Sequence, residues 1–193
     1  MMGEVHKIVF MGAPGSGKTT CIRALSEIDP VSTDVPCTDE LRDLKETTTV
    51  ALDYGELQLD GDSRVLLYGL PGQERFSYMF EVVRAGLLGA IVLVDATSGD
   101  AVEELSRTLA CHRGDLRKMP FIVALNKSEQ AADAIAERCR ETVREHGLMA
   151  PVMTVDARRR EDIAHLIELL LVILEFGFGF EPNGEPGRTE GLA

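Results

Sequence analysis

The sequence predicts a three-layer α/β domain built on a mostly parallel sheet. Short runs rich in β-branched residues alternate with amphipathic stretches, and a length of 193 residues suits one such domain. Six runs are expected to form strands: Val5–Met11, Val50–Leu59, Val65–Gly69, Ala90–Asp95, Phe121–Leu125 and Val152–Val155. Five stretches with apolar residues at spacings of three and four are expected to form helices: Lys18–Ile28, Glu74–Leu87, Val102–Leu116, Glu129–His146 and Glu161–Phe176.

One pair of strands interrupts this alternation. The runs Val50–Leu59 and Val65–Gly69 are separated by Asp60-Gly61-Asp62, a turn-forming sequence that favours a hairpin over a helical crossover. We therefore expect a six-stranded sheet with one antiparallel edge strand.

Two segments lack a regular period. Residues 29–49 are polar and contain Pro30 and Pro36, so we expect a long loop of the kind that is uncommon unless it is functional. The end of the chain is rich in Gly and Pro. We therefore expect a domain of residues 1–176 followed by a flexible tail of residues 177–193.

The composition disfavours several classes of protein. With 20 Lys and Arg against 32 Asp and Glu, the net charge of −12 disfavours binding to nucleic acid or to anionic membranes. The four cysteines are scattered without metal-ligand spacing, so we expect reduced thiols. Neither a targeting segment nor a lipidation motif is present, and we expect a cytoplasmic protein without a stable membrane anchor.

A glycine-rich segment lies between the first predicted strand and the first predicted helix. Residues 12–19 match the pattern G-x-x-x-x-G-K-[ST] in full, and such a loop turns successive backbone N–H groups toward a phosphate. In this arrangement Lys18 reaches the β- and γ-phosphates of a nucleotide, and Thr19 places its hydroxyl on Mg²⁺. The predicted nucleotide-binding residues of this segment are Gly12, Ala13, Pro14, Gly15, Ser16, Gly17, Lys18, Thr19 and Thr20.

A second candidate segment, Leu70-Pro71-Gly72-Gln73, follows the predicted strand Val65–Gly69. Open α/β sheets bind their ligands beyond the carboxyl ends of the strands. At such a place Gly72 can offer its N–H to the γ-phosphate, and Gln73 can orient an attacking water. We therefore predict that Gln73, Lys18 and Gly72 form the catalytic group.

With these two segments the sequence resembles the Ras/Arf-like small GTPases, whose second switch carries the pattern DxxGQ. The Pro-Gly-Gln form found here is most similar to that of the prokaryotic MglA-type gliding-motility GTPases. The resemblance spans residues 12–158. It implies the small-GTPase form of the P-loop fold, binding of GTP and GDP with Mg²⁺, and action as a molecular switch.

The segment Asn126-Lys127-Ser128-Glu129 resembles the NKxD segment of that family. The resemblance implies that Asn126, Lys127 and Glu129 bind the base, with the carboxylate accepting from guanine N1–H and the exocyclic amine. Adenine presents an acceptor in place of N1–H, so guanine is the expected base. Glu129 replaces the usual Asp and moves the charge out by one methylene. Its alternative role is that of a charge at a helix N-terminus.

A further segment, Asp156-Ala157-Arg158, follows the last predicted strand and resembles the family's SAK segment. The resemblance implies that Asp156, Ala157 and Arg158 lie against the base, with the backbone N–H of Ala157 donating to the guanine oxygen. Taken alone, this short segment is a weak signal.

The sequence departs from the family at the metal site. Where the family carries an Asp three residues before the Gly of the second switch, this chain has Gly69. The predicted metal ligands are therefore Thr19 and a threonine of the first switch, Thr49, with Thr48 as its alternative. We expect weak affinity for Mg²⁺. Asp95 is expected to have a structural or capping role.

The resemblance also implies protein partners. No arginine placed to stabilise the transferred phosphoryl group is evident, and Arg42 and Arg75 are expected to be surface charges. Intrinsic GTP hydrolysis is therefore expected to be slow and to be accelerated by a GTPase-activating protein, which the MglA-type resemblance suggests is of the roadblock type. We also expect a downstream effector, and a monomer or weak dimer.

Two other functions remain open from the sequence. Gly69 could weaken the metal site so far that the protein is a nucleotide-dependent scaffold without useful hydrolysis. A P-loop kinase or ATPase acting on a small molecule is the other alternative. Against it, the chain lacks the arginine-rich lid of such kinases, since Arg158-Arg159-Arg160 is its one arginine cluster.

Overall fold

The computed structural model of the chain describes residues 5–28, 31–34, 51–58, 63–70, 78–128 and 132–177. The strands are β1 (Val5–Met11), β2 (Val31–Asp34), β3 (Ala51–Gln58), β4 (Arg64–Gly69), β5 (Leu87–Asp95), β6 (Phe121–Asn126) and β7 (Val152–Val155). The helices are α1 (Lys18–Leu25), α2 (Tyr78–Val83), α3 (Ala101–Leu116), α4 (Ala132–Glu145) and α5 (Arg160–Phe176). Each predicted strand and helix corresponds to one of these elements.

The strands form one sheet in the order β2-β3-β4-β1-β5-β6-β7. Neighbours from β4 to β7 in this order pair in parallel, whereas β3 pairs antiparallel with both β4 and β2. The predicted mostly parallel α/β fold and the hairpin between β3 and β4 are thereby confirmed. The Asp60-Gly61-Asp62 turn itself lies outside the described residues.

Two details of the predicted sheet are wrong. The described part of the sheet has seven strands, because residues 31–34 form β2 within a segment that the sequence predicts to be a loop. The antiparallel strand β3 is consequently not at the edge, since β2 lies outside it. A strand of four residues is too short to show a period, and two prolines in the same segment favour a loop.

Two apolar clusters lie on opposite faces of the sheet and produce the three layers. One joins the sheet to α2, α3 and α4 through residues such as Phe80, Leu109 and Val143. The other joins it to α1 and α5 through residues such as Ile22 and Leu170. All six residues of β6 are buried, as expected for a central parallel strand that is covered on both faces.

Among the residues that the structure describes, no helix combines the length and apolar character needed to cross a bilayer.

His112 is a polar side chain within the core. It lies on α3 with 3% of its surface exposed, and its ring centroid is 5.4 Å from that of Phe80. Its Nε2 has no hydrogen-bond partner among the described residues. Burial lowers the pKa of His112 below its usual 6.5, and the charge of Asp115 opposes this shift.

This burial predicts a pH-dependent stability. Between the lowered folded pKa of His112 and the unfolded value near 6.5, the unfolded chain binds a proton that the folded chain does not. The free energy of unfolding should therefore fall as the pH drops below 6.5, by at most about 1.4 kcal/mol per pH unit. Urea unfolding followed by circular dichroism from pH 7.5 to 5.5 measures this slope.

His112→Gln should flatten that slope, because the residue that gains the proton on unfolding is gone. His165→Gln makes the same change at an exposed position of α5 and should keep the wild-type slope. Equal slopes in His112→Gln and the wild type would contradict the assignment.

Candidate nucleotide-binding site

The glycine-rich loop connects β1 to α1 at the carboxyl edge of the sheet. Gly12 and Gly17 have φ angles of 136° and 112°, in the left-handed region that favours glycine. A Cβ on Gly12 would lie 2.2 Å from the Leu93 carbonyl oxygen, and one on Gly17 would lie 2.5 Å from Nδ2 of Asn126. The loop can therefore adopt this backbone conformation only with glycine at these two positions. No side chain caps the first turn of α1, so its N–H groups are open to an anion.

Lys18 is the first residue of α1, and its ammonium folds back over the loop. Its Nζ donates to the carbonyl oxygens of Gly12 and Ala13, at 3.0 and 2.9 Å. Burial lowers the pKa of Lys18, while the negative charge of Asp53 opposes that shift. Lys18, the predicted phosphate-binding lysine, is thus hydrogen-bonded to the backbone of the glycine-rich loop.

Thr19, a predicted metal ligand on α1, contacts a carboxylate that lies on β3. Its Oγ1 donates to Oδ2 of Asp53 at 2.5 Å. Asp53 lies on β3, directly opposite Gly69 of β4 in the antiparallel register. Sequence analysis missed Asp53, although counting eight residues outward from Gly61 in the predicted turn places residues 53 and 69 opposite each other.

Asn126 ends β6 and connects two backbone segments that are distant in sequence. The side chain is 4% exposed. Its Nδ2 donates to the carbonyl oxygen of Ser16 at 2.9 Å, and its Oδ1 accepts from the backbone N–H of Ala157 at 3.0 Å. Asn126 therefore holds the glycine-rich loop to the loop that follows β7. The backbone N–H of Ala157 is predicted to donate to the guanine oxygen. In this structure it donates to the side-chain amide of Asn126.

Lys127 adds a second link to the glycine-rich loop. It has a φ of 62°, and its Nζ contacts the Gly15 carbonyl oxygen at 3.0 Å and Oδ2 of Asp95 at 2.5 Å. Asp95 also accepts from the backbone N–H and the hydroxyl of Thr97. Desolvation raises the pKa of Asp95, but the hydrogen bonds from Lys127 and Thr97 and the lysine's charge outweigh it and lower the pKa. These contacts agree with the structural role expected for Asp95.

Asp156 and Arg158 form a local pair after β7. The Arg158 guanidinium donates to both carboxylate oxygens of Asp156, at distances down to 2.6 Å. Hydrogen bonds from the Arg158 side chain and backbone lower the pKa of Asp156 to about 2. The backbone N–H of Asp156 donates to Asp162 at 2.9 Å, which fixes the loop to the start of α5.

A cavity of about 590 Å³ lies between these loops, within the size range of small-ligand sites. Eight of the predicted site residues line it: Gly15, Gly17, Thr20, Asn126, Lys127, Asp156, Ala157 and Arg158. It is completed by Ser128, Thr154, Val155 and Asp162. The structure thus brings the loops after β1, β6 and β7 around one cavity.

The remaining predicted residues have two outcomes. Within the glycine-rich loop, Pro14 is exposed and Ser16 is fully buried. Five predicted residues lie outside the described part of the chain and stay predictions: Thr48, Thr49, Gly72, Gln73 and Glu129. Within the described residues, no three His, Cys, Asp or Glu side chains gather as a metal site.

Asn126→Ala should destabilise the fold, because it leaves the Ser16 carbonyl and the Ala157 N–H without their buried partner. At about 1–3 kcal/mol for each such group, we expect the free energy of unfolding to fall by about 3 kcal/mol. Asn126→Asp retains an acceptor for Ala157 but sets an oxygen against the Ser16 carbonyl, so it should also destabilise.

Urea unfolding followed by far-ultraviolet circular dichroism suits this test, since the chain contains no tryptophan. Ser128→Ala is the control: it changes a neighbouring residue of the same cavity and should shift stability by less than about 0.5 kcal/mol. An Asn126→Ala variant as stable as the wild type would refute the bridging role.

Comparison with known proteins supports the nucleotide-binding fold. A protein of Methanocaldococcus jannaschii described as uncharacterized, MJ1339, is 32% identical over 131 residues, which are 67% of this chain and 74% of that protein. GTPase Obg of Persephonella marina is 27% identical over 186 residues, covering 89% of this chain and 51% of Obg. Rab-32 of Sus scrofa, described as Ras-related, is 25% identical over 140 residues, covering 68% of this chain and 57% of Rab-32. This chain therefore spans about half the length of these two relatives.

The solved structures agree on the fold. The apo form of the cytosolic domain of the T. maritima FeoB iron transporter superposes with a TM-score of 0.60 at 16% identity, covering 89% of this chain and 65% of that chain. A family model described as conserved hypothetical ATP binding protein matches residues 34–177, most of the domain. The chain is thus a nucleotide-binding P-loop protein, and it belongs to the family of conserved hypothetical ATP binding proteins.

Proposed function

We propose that this chain is a small GTP-binding protein that hydrolyses GTP slowly and acts as a molecular switch. The observation that carries the proposal is the convergence of three loops on one cavity. The glycine-rich loop, the Asn126–Lys127 segment and the loop after β7 together line a space of about 590 Å³. Such a space suits a ligand with phosphates at one end and a base at the other.

The phosphate end is supported by the backbone and by Lys18. The first-turn N–H groups of α1 carry the positive end of the helix dipole and have no side-chain cap. The Lys18 ammonium lies on the Gly12 and Ala13 carbonyls and reaches the phosphates by exchanging those bonds. Mg²⁺, when bound with the nucleotide, neutralises part of the phosphate charge.

The base end favours guanine. Asn126 and Lys127 line the cavity, and Glu129, which lies outside the described residues, comes two positions after Lys127 in the sequence. A carboxylate accepts from N1–H and the amino group of guanine, whereas adenine presents an acceptor of its own. The relatives described as GTPases support this choice, although the matching family is described as ATP binding. The test below therefore compares the two bases directly.

The proposed hydrolysis uses water activated in line with the γ-phosphate. In this proposal Gln73 orients the water, and Lys18 and the N–H of Gly72 stabilise the developing charge. The sequence offers no evident arginine for the same task, so an activating protein accelerates the reaction. The MglA-type form of the Pro-Gly-Gln segment suggests a roadblock-type activator, and the GTP-bound state engages a downstream effector.

Titration with fluorescent GDP, GTP and ATP analogues should show guanine nucleotides binding at least tenfold more tightly than ATP. This expectation follows from the mismatch of a carboxylate with adenine, worth about 1–3 kcal/mol. Preference for ATP would contradict the guanine assignment, and phosphorylation of an added nucleoside monophosphate would favour a kinase.

Lys18→Ala should weaken GTP binding by about 10- to 100-fold, because a charge-assisted hydrogen bond contributes about 1.5–3 kcal/mol. The matched control is Lys118→Ala, which removes an exposed lysine after α3, at the opposite edge of the sheet. The control should bind GTP as the wild type does.

Gln73→Ala should slow GTP hydrolysis by roughly 100-fold and leave GDP affinity unchanged, because the residue acts on the water and not on the bound nucleotide. Phosphate release under multiple turnover, combined with GDP titration of the same variant, measures both quantities. A wild-type protein that binds GTP but releases no phosphate would support the scaffold alternative instead.

A further inference from the structure

We propose that Arg160 is a positioning residue of the nucleotide site, which fixes the separation between the loop after β7 and the phosphate-binding helix α1. This inference rests on the proposed function, since it concerns how the two ends of one nucleotide are held. Arg160 is the first residue of α5 and comes directly after the turn of residues 156–159. It is not among the residues that line the cavity, so it acts through the elements that it joins.

The first support is the contact between Arg160 and the end of α1. One guanidinium nitrogen, Nη1, donates to the carbonyl oxygens of Ala24 and Leu25, at 3.1 and 2.8 Å. Carbonyl groups in the last turn of a helix have no N–H partner within that helix. Arg160 supplies partners for two of them from a position more than 130 residues away in sequence. It therefore joins the far end of α1 to the start of α5.

The second support is that the loop after β7 is fixed to the same turn of α5. The backbone N–H of Arg159 donates to the Asp156 carbonyl oxygen at 2.9 Å and closes the turn of residues 156–159. The backbone N–H of Asp156 donates to the carboxylate of Asp162, on α5, at 2.9 Å. A displacement of the first turn of α5 would therefore move this loop with it.

The third support is that α1 is held at both of its ends. At its start, the Asn126 amide joins the carbonyl of Ser16 to the backbone N–H of Ala157. At its end, Arg160 provides the second attachment. The helix has eight residues and is about 12 Å long, so the two attachments are well separated. A rigid helix held at one point can pivot about it, whereas a helix held at both ends cannot.

Apolar packing alone does not give the same precision. Ile22 and Leu25 of α1 share a buried cluster with Ile163 and Leu166 of α5. Burial of apolar surface is not directional, and it permits small sliding movements of one helix along the other. Hydrogen bonds depend on both distance and angle, so the Arg160 contacts restrict such sliding.

The cavity has one wall from each of the elements that Arg160 joins. Gly17 and Thr20 line it from the side of α1, and Ala157 and Arg158 line it from the loop after β7. A nucleotide that contacts both walls gains from both contacts only when their separation matches its length. A ligand that contacts one wall does not depend on this separation. Arg160 should therefore affect the affinity for GDP and not the affinities for its two parts.

This difference supplies the test. Fluorescent GDP is bound to the full chain and displaced by unlabelled GDP, by guanosine or by pyrophosphate. Arg160→Met keeps an unbranched side chain at an exposed position and removes the hydrogen-bond donor. We expect the affinity for GDP to fall by roughly 10-fold, while the affinities for guanosine and pyrophosphate stay within about twofold of the wild type.

Arg23→Met is the matched control. Arg23 is an exposed residue in the last turn of α1, so this variant removes a positive charge from the same end of the helix. It should bind all three ligands as the wild type does. If Arg23→Met lost as much GDP affinity as Arg160→Met, the effect would be one of charge, and the positioning role would be overturned. Circular dichroism of both variants verifies folding.

Three other patterns would also reject the proposal. Equal losses of affinity for GDP, guanosine and pyrophosphate are expected if Arg160 only stabilises the fold. A loss confined to GDP and pyrophosphate would place the effect of Arg160 at the phosphate end alone. A loss confined to GDP and guanosine would place it at the base end alone.

Amide hydrogen exchange gives a second and independent readout. Pyrophosphate contacts the phosphate end, so slower exchange at residues 156–159 reports a coupling that passes through the protein. We expect saturating pyrophosphate to slow this exchange at least about twofold in the wild type, and Arg160→Met to lose at least about half of that effect. A wild type without this protection, or a variant that retains all of it, would count against the coupling.

The outcomes also separate this inference from the proposed function. If the protein prefers ATP, the guanine proposal is rejected, and the comparison is repeated with ADP, adenosine and pyrophosphate. The same pattern of affinities then decides the Arg160 proposal. Tight GDP binding that Arg160→Met leaves unchanged would reject the Arg160 proposal alone. A wild type that binds neither nucleotide would reject both.

Discussion

The buried amide of Asn126 is the contact on which the geometry of the site depends. Its two hydrogen bonds join segments that are 110 and 31 residues away in sequence. The parallel sheet brings the carboxyl ends of β1, β6 and β7 to one edge, and the amide then fixes their loops to each other. The close approach of this amide also excludes a side chain at Gly17. The conformation of the glycine-rich loop therefore depends partly on Asn126, a residue of β6.

The electrostatics of the site contrast with those of the whole chain. The chain carries a net charge of −12, yet the candidate phosphate site gathers two lysines and the N-terminus of a helix. Lys18 and Lys127 both donate to carbonyl oxygens of the glycine-rich loop. Binding a polyanion to an acidic protein thus depends on local placement of positive charge. Asp53 is the acidic exception among these groups, and it accepts a hydrogen bond from Thr19.

The sequence predicted most of the fold because the signals were local. Alternating strand-like and helix-like runs, together with a turn between two strands, determine the fold class. β2 was missed because four residues cannot display a period. The sequence pointed to the segments that line the cavity because each has a fixed internal spacing. Thr49, Gly72, Gln73 and Glu129 lie outside the described residues and stay predictions.

Asp53 was missed because its relation to Thr19 and Gly69 depends on the pairing of two strands, which only a count outward from the predicted turn would have suggested. A carboxylate within a strand looks unremarkable until the register of its neighbour is known. Asn126 shows a related limit. The sequence pattern predicts the residue as part of the site, but the backbone groups that it joins are visible only in three dimensions.

Asp53 and Gly69 share one volume although they belong to different strands. A Cβ at position 69 would lie 3.0 Å from the Asp53 Cβ and would require the aspartate to shift, so a change at one position constrains the other. In related chains, the size of the residue at one of these positions is expected to limit the size of the residue at the other. The informative pattern is the pair of positions, counted outward from the turn.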